Sequence, residues 1–238
     1  MFQNNEVGAI QNIERIAEIV HENNSESLVH TDAVQAVGHI KIDVKQMGID
    51  LLSASAHKFN GPKGIGFLYI NKKCSIEPYV IGGGQENGMR SGTENIAGIY
   101  SMAKALEDNV ANMGSIHAHI SRLDSILCNL LAEQNIKFKI NGDSASRAAG
   151  LLNISISGIN GEGLLNMLDM HDICISIGSA CSSKSQVRSH VLLAMGLDEK
   201  RIDSSVRISI GRFNTEDEIR TLVKCISDCY KIAKLAET

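Results

Sequence analysis

No stretch of this 238-residue chain is apolar for the length of a membrane span, so no helical crossing of a bilayer is expected. No run of one charge sign occurs, and the net charge is only −4. That leaves no electrostatic reason for binding nucleic acid or an acidic membrane surface. The N-terminus lacks a basic-then-apolar export signal, and no internal repeat or low-complexity segment is present. The six cysteines show no paired spacing of a metal site. Cys225 and Cys229 stand one helical turn apart and read as two residues of a helix face. The cysteines are therefore read as reduced thiols of a cytoplasmic protein, with no metal site. What remains is a soluble globular chain of mean hydropathy −0.03, long enough for a sizeable core in one large or two small domains.

The informative stretch is Ser53-Ala54-Ser55-Ala56-His57-Lys58, followed by Phe59-Asn60-Gly61-Pro62-Lys63-Gly64. A strand-like run, Ile49 to Ser55, delivers one lysine into a turn rich in Gly and Pro. Lysine amines become nucleophiles when desolvation or nearby cations lower their pKa from about 10.4, and then form Schiff bases with carbonyls. Upstream, Leu28-Val29 leads into Thr31-Asp32-Ala33-Val34-Gln35, which puts a carboxylate at the end of a second strand. Pyridoxal phosphate needs an anion beside its pyridine nitrogen if the ring is to act as an electron sink. Each residue also has a plainer reading. A lysine after a strand is usually a solvated surface residue, and an aspartate there is usually a turn former or helix cap.

Five blocks extend the pattern: NNEVG at 4–8, TDAVQ at 31–35, SASAHKFNGPKG at 53–64, GGGQENGMRSGTEN at 82–95, and GSACSS at 178–183 with SSVRISIGRF at 204–213. In this order and spacing they resemble the cysteine desulfurases of the NifS/IscS type, within the class V aminotransferase-like superfamily of pyridoxal phosphate enzymes. The resemblance implies an α/β fold of the aspartate aminotransferase-like, pyridoxal phosphate-dependent transferase kind. Residues 1–114 would be the later part of the cofactor-binding large domain with a bridging helix. Residues 115–238 would be a smaller α+β domain carrying the cysteine loop. Relatives carry a substantial segment before the NNEVG block, with a Gly/Ser/Thr turn for the cofactor phosphate and a histidine that stacks on the ring. The sequence is accordingly expected to be a truncated product, a partial gene model or one piece of a split enzyme.

The same resemblance implies roles residue by residue. Lys58 is the lysine that attaches the cofactor, and His57 and Ser55 contact its phosphate. Asp32 pairs with the pyridinium nitrogen, Gln35 reaches the ring hydroxyl, and Asn5 lies near that oxygen and the substrate. Thr93 reaches the phosphate held by the partner of a homodimer. Arg207 grips the substrate carboxylate, and Cys181 is the nucleophile that takes the sulfur of L-cysteine as a persulfide. It then passes that sulfur to an acceptor protein of the iron–sulfur or transfer-RNA thiolation kind. Where relatives often have Arg, this chain has Asn87. Plainer readings stay open: a structural hydrogen-bonding role for His57, a flexible turn for Gly82-Gly83-Gly84, and an internal salt bridge for Arg207. Cys181 lies among small polar residues near Lys184 and Arg188, a setting that favours a thiolate, whereas Cys128 and Cys174 are expected in apolar surroundings. Weaker enzymatic readings are a selenocysteine lyase or another class V aminotransferase-like enzyme. An alternative of different class is a catalytically impaired fragment that only dimerises or binds a partner.

Hydrophobic periodicity predicts a helix over 10–24 with Ile10, Ile13, Ile16, Ala17 and Val20 on one face, and a strand from about 27 to 31. It predicts a helical turn at 44–47, strands near 49–55 and 65–70, and helix from Glu94 to about Gln134, broken near 112–114. Beyond these come strands at 151–156, 173–177 and 206–210, a helix at 161–170, and a closing helix from Thr215 to Leu235. Thr215 and Glu218 form a capping-box signature.

Overall fold

The amphipathic pattern near the N-terminus forms α1, Ile13–Asn23, in the computed structural model, which describes residues 1–143, 145–178 and 188–236. Asn12 starts the helix by accepting the Arg15 N–H on its Oδ1 at 3.0 Å. Ile13 and Ala17 are buried, but Ile16, expected on the same face, is exposed. The chain divides into two units: Met1–Gln3 with Gln11–Met113, and Asn4–Ile10 with Gly114–Thr238.

In the first unit, α1 is followed by β1, His30–Asp32, which is shorter and later than its apolar lead-in predicts. β1 runs parallel to β2, Leu51–Ser55, and β2 pairs antiparallel with β3, Gly66–Ile70. The result is a mixed three-stranded sheet in the order β1-β2-β3. Asp32 stands opposite Ser53, so β1 and β2 release their chains at the same edge. Between them, residues 44–48 form a turn closed by the Ile49 N–H on Val44 O at 2.9 Å. α2, Ile96–Ala111, then begins at Asn95, whose Oδ1 accepts the Gly98 N–H at 3.0 Å.

The second unit is α+β. α3, Met113–Glu133, leads to β4, Phe138–Ile140, and β5, Leu151–Ile156. α4, Gly161–Asp169, α5, His190–Ala194, and α6, Glu199–Asp203, come next. β6, Ser205–Ser209, and α7, Glu216–Ala236, complete the unit. The strands form an antiparallel sheet in the order β4-β5-β6. Period-two alternation gives that sheet one apolar face. Leu152, Ile154, Ile156, Val206 and Ile208 lie in one core with Leu123, Leu127 and Leu131 of α3, Leu164 and Leu168 of α4, and Ile219, Val223 and Ile226 of α7. Burial of each such side chain is worth about 1.5–3 kcal/mol. The alternate residues Asn153 and Ser155 are also buried, and both accept from Asn141 Nδ2 at 2.8 Å. Arg201 closes this polar cluster by donating from Nε to Asn141 Oδ1 at 2.9 Å.

The capping box forms as the sequence predicts: Thr215 N–H donates to Glu218 Oε2 at 2.8 Å, and Glu218 N–H to Thr215 Oγ1 at 3.3 Å. The strand expected at 173–177 does not. Only Ser176 bridges to Arg207, and left-handed backbone at Asp172 (φ 58°) and Gly178 (φ 60°) turns the chain at either end of the segment. Cys174, expected in apolar surroundings, is consequently exposed.

One buried charge ties α1 to the first sheet. Asp50 is fully buried at the entrance to β2. Its Oδ2 accepts the Val29 N–H at 2.9 Å and meets His21 Nε2 at 3.0 Å, while Lys73 Nζ lies 3.1 Å from Oδ1. Burial alone would raise the carboxyl's pKa, but the Val29 amide, Lys73 and His21 outweigh it and hold it below the ordinary value. A carboxyl lowered on folding stabilises the native state above its unfolded pKa, and that contribution is lost as pH falls through the folded value. We expect Asp50→Asn to destabilise the chain by about 2 kcal/mol at pH 7. The deficit against wild type should shrink as pH drops below about 4, as urea melts at pH 7 and pH 3.5 would show.

Candidate active site

The edge shared by β1 and β2 collects Asp32, Gln35, Ser55, His57 and Lys58, while Thr93 lies in the later glycine-rich stretch of the same unit. Asp32 ends β1 with its carboxylate exposed. Oδ1 takes the Val34 N–H at 3.0 Å, so Asp32 is both a turn former and a carboxylate presented at the sheet edge. Gln35 is half-buried in the turn that follows. Ser55 ends β2, and its Oγ lies 2.8 Å from His57 Nδ1. Lys58, half-buried, sits in a 3-10 turn, Ala56–Phe59. Asn60 stops that turn in left-handed backbone (φ 63°), which asparagine tolerates better than most residues, and the Gly61 N–H returns to Ala56 O at 2.8 Å. Gly61 is required by space: a Cβ there would stand 2.9 Å from both the Cβ and the carbonyl oxygen of Ala56.

The turn is anchored by side chains that sequence reasoning passed over. Phe59 is fully buried and lies so close to Gly38 that a Cβ on that residue would meet Phe59 Cβ at 2.7 Å. His39 Nε2 donates to Lys58 O at 2.7 Å, and Asn109 Nδ2 of α2 donates to Phe59 O at 2.7 Å. The one available signal was Asn109 itself, a weak helix former well inside a helix.

The glycine-rich stretch folds upon itself. Ser91 N–H donates to Val80 O and Gly92 N–H to Gln85 Oε1, both at 3.0 Å. Asn87 adopts φ 56°, again a backbone that suits asparagine. Thr93 is exposed.

Asn5 and Arg207 meet in the second unit. Asn4 closes the loop that carries Asn5: its Oδ1 accepts the N–H groups of Glu6 and Val7 at 2.8 and 3.0 Å, and its N–H donates to Ala9 O at 2.8 Å. Ile10 N–H to Ser146 O and Ala148 N–H to Gly8 O, both 2.9 Å, attach the loop to the unit. Arg207, half-buried in β6, donates from Nη1 to Asn5 O at 2.8 Å and from Nη2 to Ser176 Oγ at 3.3 Å. Cys181 lies outside the described residues. Elsewhere, burial above all pushes the thiols of Cys128 and Cys229 up, as expected of structural cysteines.

The family model for class-V aminotransferases matches residues 1–222. The chain belongs to the class-V aminotransferase family. It is 46% identical to the cysteine desulfurase IscS of Clostridium botulinum over 97% of its own length and 58% of that protein's. Among solved structures it resembles a NifS-like protein at 38% identity, with a TM-score of 0.89 over 98% of this chain and 60% of the other. It also resembles SspA solved in complex with cysteine, at 31% identity and a TM-score of 0.73, covering 90% of this chain and 58% of the other. The fold is thus the mixed α/β fold of the NifS-like members of this family, and the chain spans under two thirds of the length of the relatives it matches.

The donor set at the sheet edge suits the cofactor of such enzymes. Lys58 offers an amine for a carbonyl, Asp32 an anion for a pyridinium, and Ser55 with His57 a hydroxyl and an imidazole for a phosphate. Among the described residues no acidic, histidine and cysteine side chains gather into a metal site, and no helix is long and apolar enough to cross a membrane.

We expect Gly61→Ala to open the lysine turn locally. The amide of Gly61 should exchange with deuterium at least about tenfold faster, since losing about 1.4 kcal/mol of local stability suffices. The amides of β2 should keep their protection, as peptide-level exchange would show.

Proposed function

We propose that this chain carries the catalytic lysine and the sulfur-bearing cysteine of a pyridoxal phosphate-dependent cysteine desulfurase, which converts L-cysteine to L-alanine. The observation that supports it best is the convergence of Lys58, Asp32 and the Ser55–His57 pair at the common end of two parallel strands. The order of the five sequence blocks and the family match support it further.

When bound, pyridoxal phosphate supplies an electron sink for the substrate's α-carbon. Every other role falls to the chain. Asp32 would serve as counter-ion to the ring nitrogen, Gln35 would donate to the ring oxygen, and Ser55 and His57 would hold the phosphate. Lys58 would hold the cofactor through its amine and supply a base for the substrate's α-proton. Arg207 holds the substrate carboxylate with its planar fork, beside the loop that presents Asn5. The Cys181 thiolate attacks the substrate sulfur: an S–S bond forms, the substrate C–S bond breaks, and the carbon fragment leaves as alanine after protonation. The resulting persulfide passes to an acceptor protein of an iron–sulfur or transfer-RNA thiolation pathway. The active form is a cytoplasmic homodimer in which Thr93 completes the partner's phosphate site. The exposed side chains of Tyr79, Ile81, Ile96 and Tyr100, on either side of the glycine-rich loop, support such an interface.

The test is borohydride reduction of the chain mixed with pyridoxal phosphate, followed by peptide mass spectrometry, with and without a supplied N-terminal segment from a relative. The adduct is expected on Lys58, to vanish in Lys58→Ala and to persist in Lys63→Ala. With L-cysteine, Cys181→Ser should retain cofactor absorbance yet lose persulfide and at least about tenfold of its alanine release, the order of loss when a nucleophile's contribution is removed. An adduct retained in Lys58→Ala, or a sulfur adduct on Cys174 or Cys128 in place of Cys181, would overturn the reading. A chain that never binds the cofactor in either mixture would instead act only as a dimerising or partner-binding fragment.

A further inference from the structure

The side chain of a lysine that must swing between two bonded states can be free only if its backbone is not. We infer that Asn109 and His39 are positioning residues for Lys58: they fix the two consecutive carbonyls of its turn and so set where its amine can reach. This rests on the reading of Lys58 as the cofactor lysine.

Three observations carry it. First, the Lys58 and Phe59 carbonyls each take a side-chain donor at 2.7 Å, one from His39 in the turns after β1 and one from Asn109 of α2. Second, Asn109 is 1% exposed, and its second contact is only the helix carbonyl of Ala105 at 2.8 Å. Third, its Oδ1 is buried with no hydrogen-bond partner. An orphaned buried carbonyl is a standing cost. A leucine would fill the same space without it, so the amide serves for what its N–H groups hold. Two carbonyls face Nδ2, which sets the amide's orientation. His39 must likewise carry its proton on Nε2, since a carbonyl only accepts. Phe59 holds the turn to the core through packing alone, which fixes depth but not rotation. The two donors come from different elements and remove that remaining freedom.

Lys63 provides an internal control: it lies on the same turn-rich stretch and is exposed. The test is competitive acetylation of the full chain without cofactor across pH 7–10, read by mass spectrometry as the Lys58-to-Lys63 ratio. Borohydride trapping of pyridoxal phosphate runs in parallel. In Asn109→Leu and His39→Leu the ratio should rise several-fold, while trapping on Lys58 falls at least fivefold. His39→Gln, which keeps an N–H donor, should restore both. Should Asn109→Leu not fold, His39→Leu decides, because His39 is only half-buried. The inference is overturned if both leucine variants keep the parental ratio and trapping, or if Lys58 and Lys63 change in parallel, as general loosening would cause. If the parent traps no cofactor on Lys58, the functional reading fails instead, and the acetylation ratio still judges the positioning.

Discussion

Burial of Phe59 is the constraint on which the Ala56–Phe59 turn of the first unit depends. Its side chain is fully enclosed, and the approach of Gly38 leaves no space for it to shift. A residue so held fixes the residue before it, and that residue is Lys58. The depth of the turn in the fold is thus set by an apolar contact one residue from Lys58, while Lys58 itself is only half-buried.

A similar division of labour holds around Arg207. β6 contributes Val206 and Ile208 to the apolar core, while Arg207 points to the other face of the strand. There it meets a backbone carbonyl and a hydroxyl from two short segments, at Asn5 and Ser176. Period-two alternation therefore does two things with one strand: it anchors the sheet and aims a guanidinium away from the core. The Asn4 turn keeps the Asn5 carbonyl where the guanidinium can use it, through bonds that are local to residues 4–9.

Elements holding two or more periods of their pattern were legible in the sequence: α1, α2, α3, α4 and α7, together with β2, β3, β5 and β6, fall within a few residues of where hydrophobic spacing puts them. β4, α5 and α6 were not, since a three-residue strand and five-residue helices hold less than two periods. Residues 173–177 failed for the opposite reason. The apolar alternation is present, but Asp172 and Gly178 turn left-handed at either end, which no side-chain pattern announces. Lys58, Asp32, Ser55 and His57 stood out through motif spacing. His39 and Asn109 make contacts nineteen and fifty residues distant in sequence, and the one local sign of either is an asparagine inside a helix.

The backbone decides which residue suits position 87: Asn87 adopts φ 56°, next to Glu86 at φ 50°. Two consecutive left-handed residues that are not glycine are a strained arrangement, and asparagine relieves it at lower cost than most side chains because its short amide tolerates that region. Asn87 therefore suits the shape of the loop. Since Ser91 and Gly92 close the same loop through backbone amides, its form does not depend on a cation at 87. The place of Thr93 in the first unit is accordingly set by the turn geometry before it.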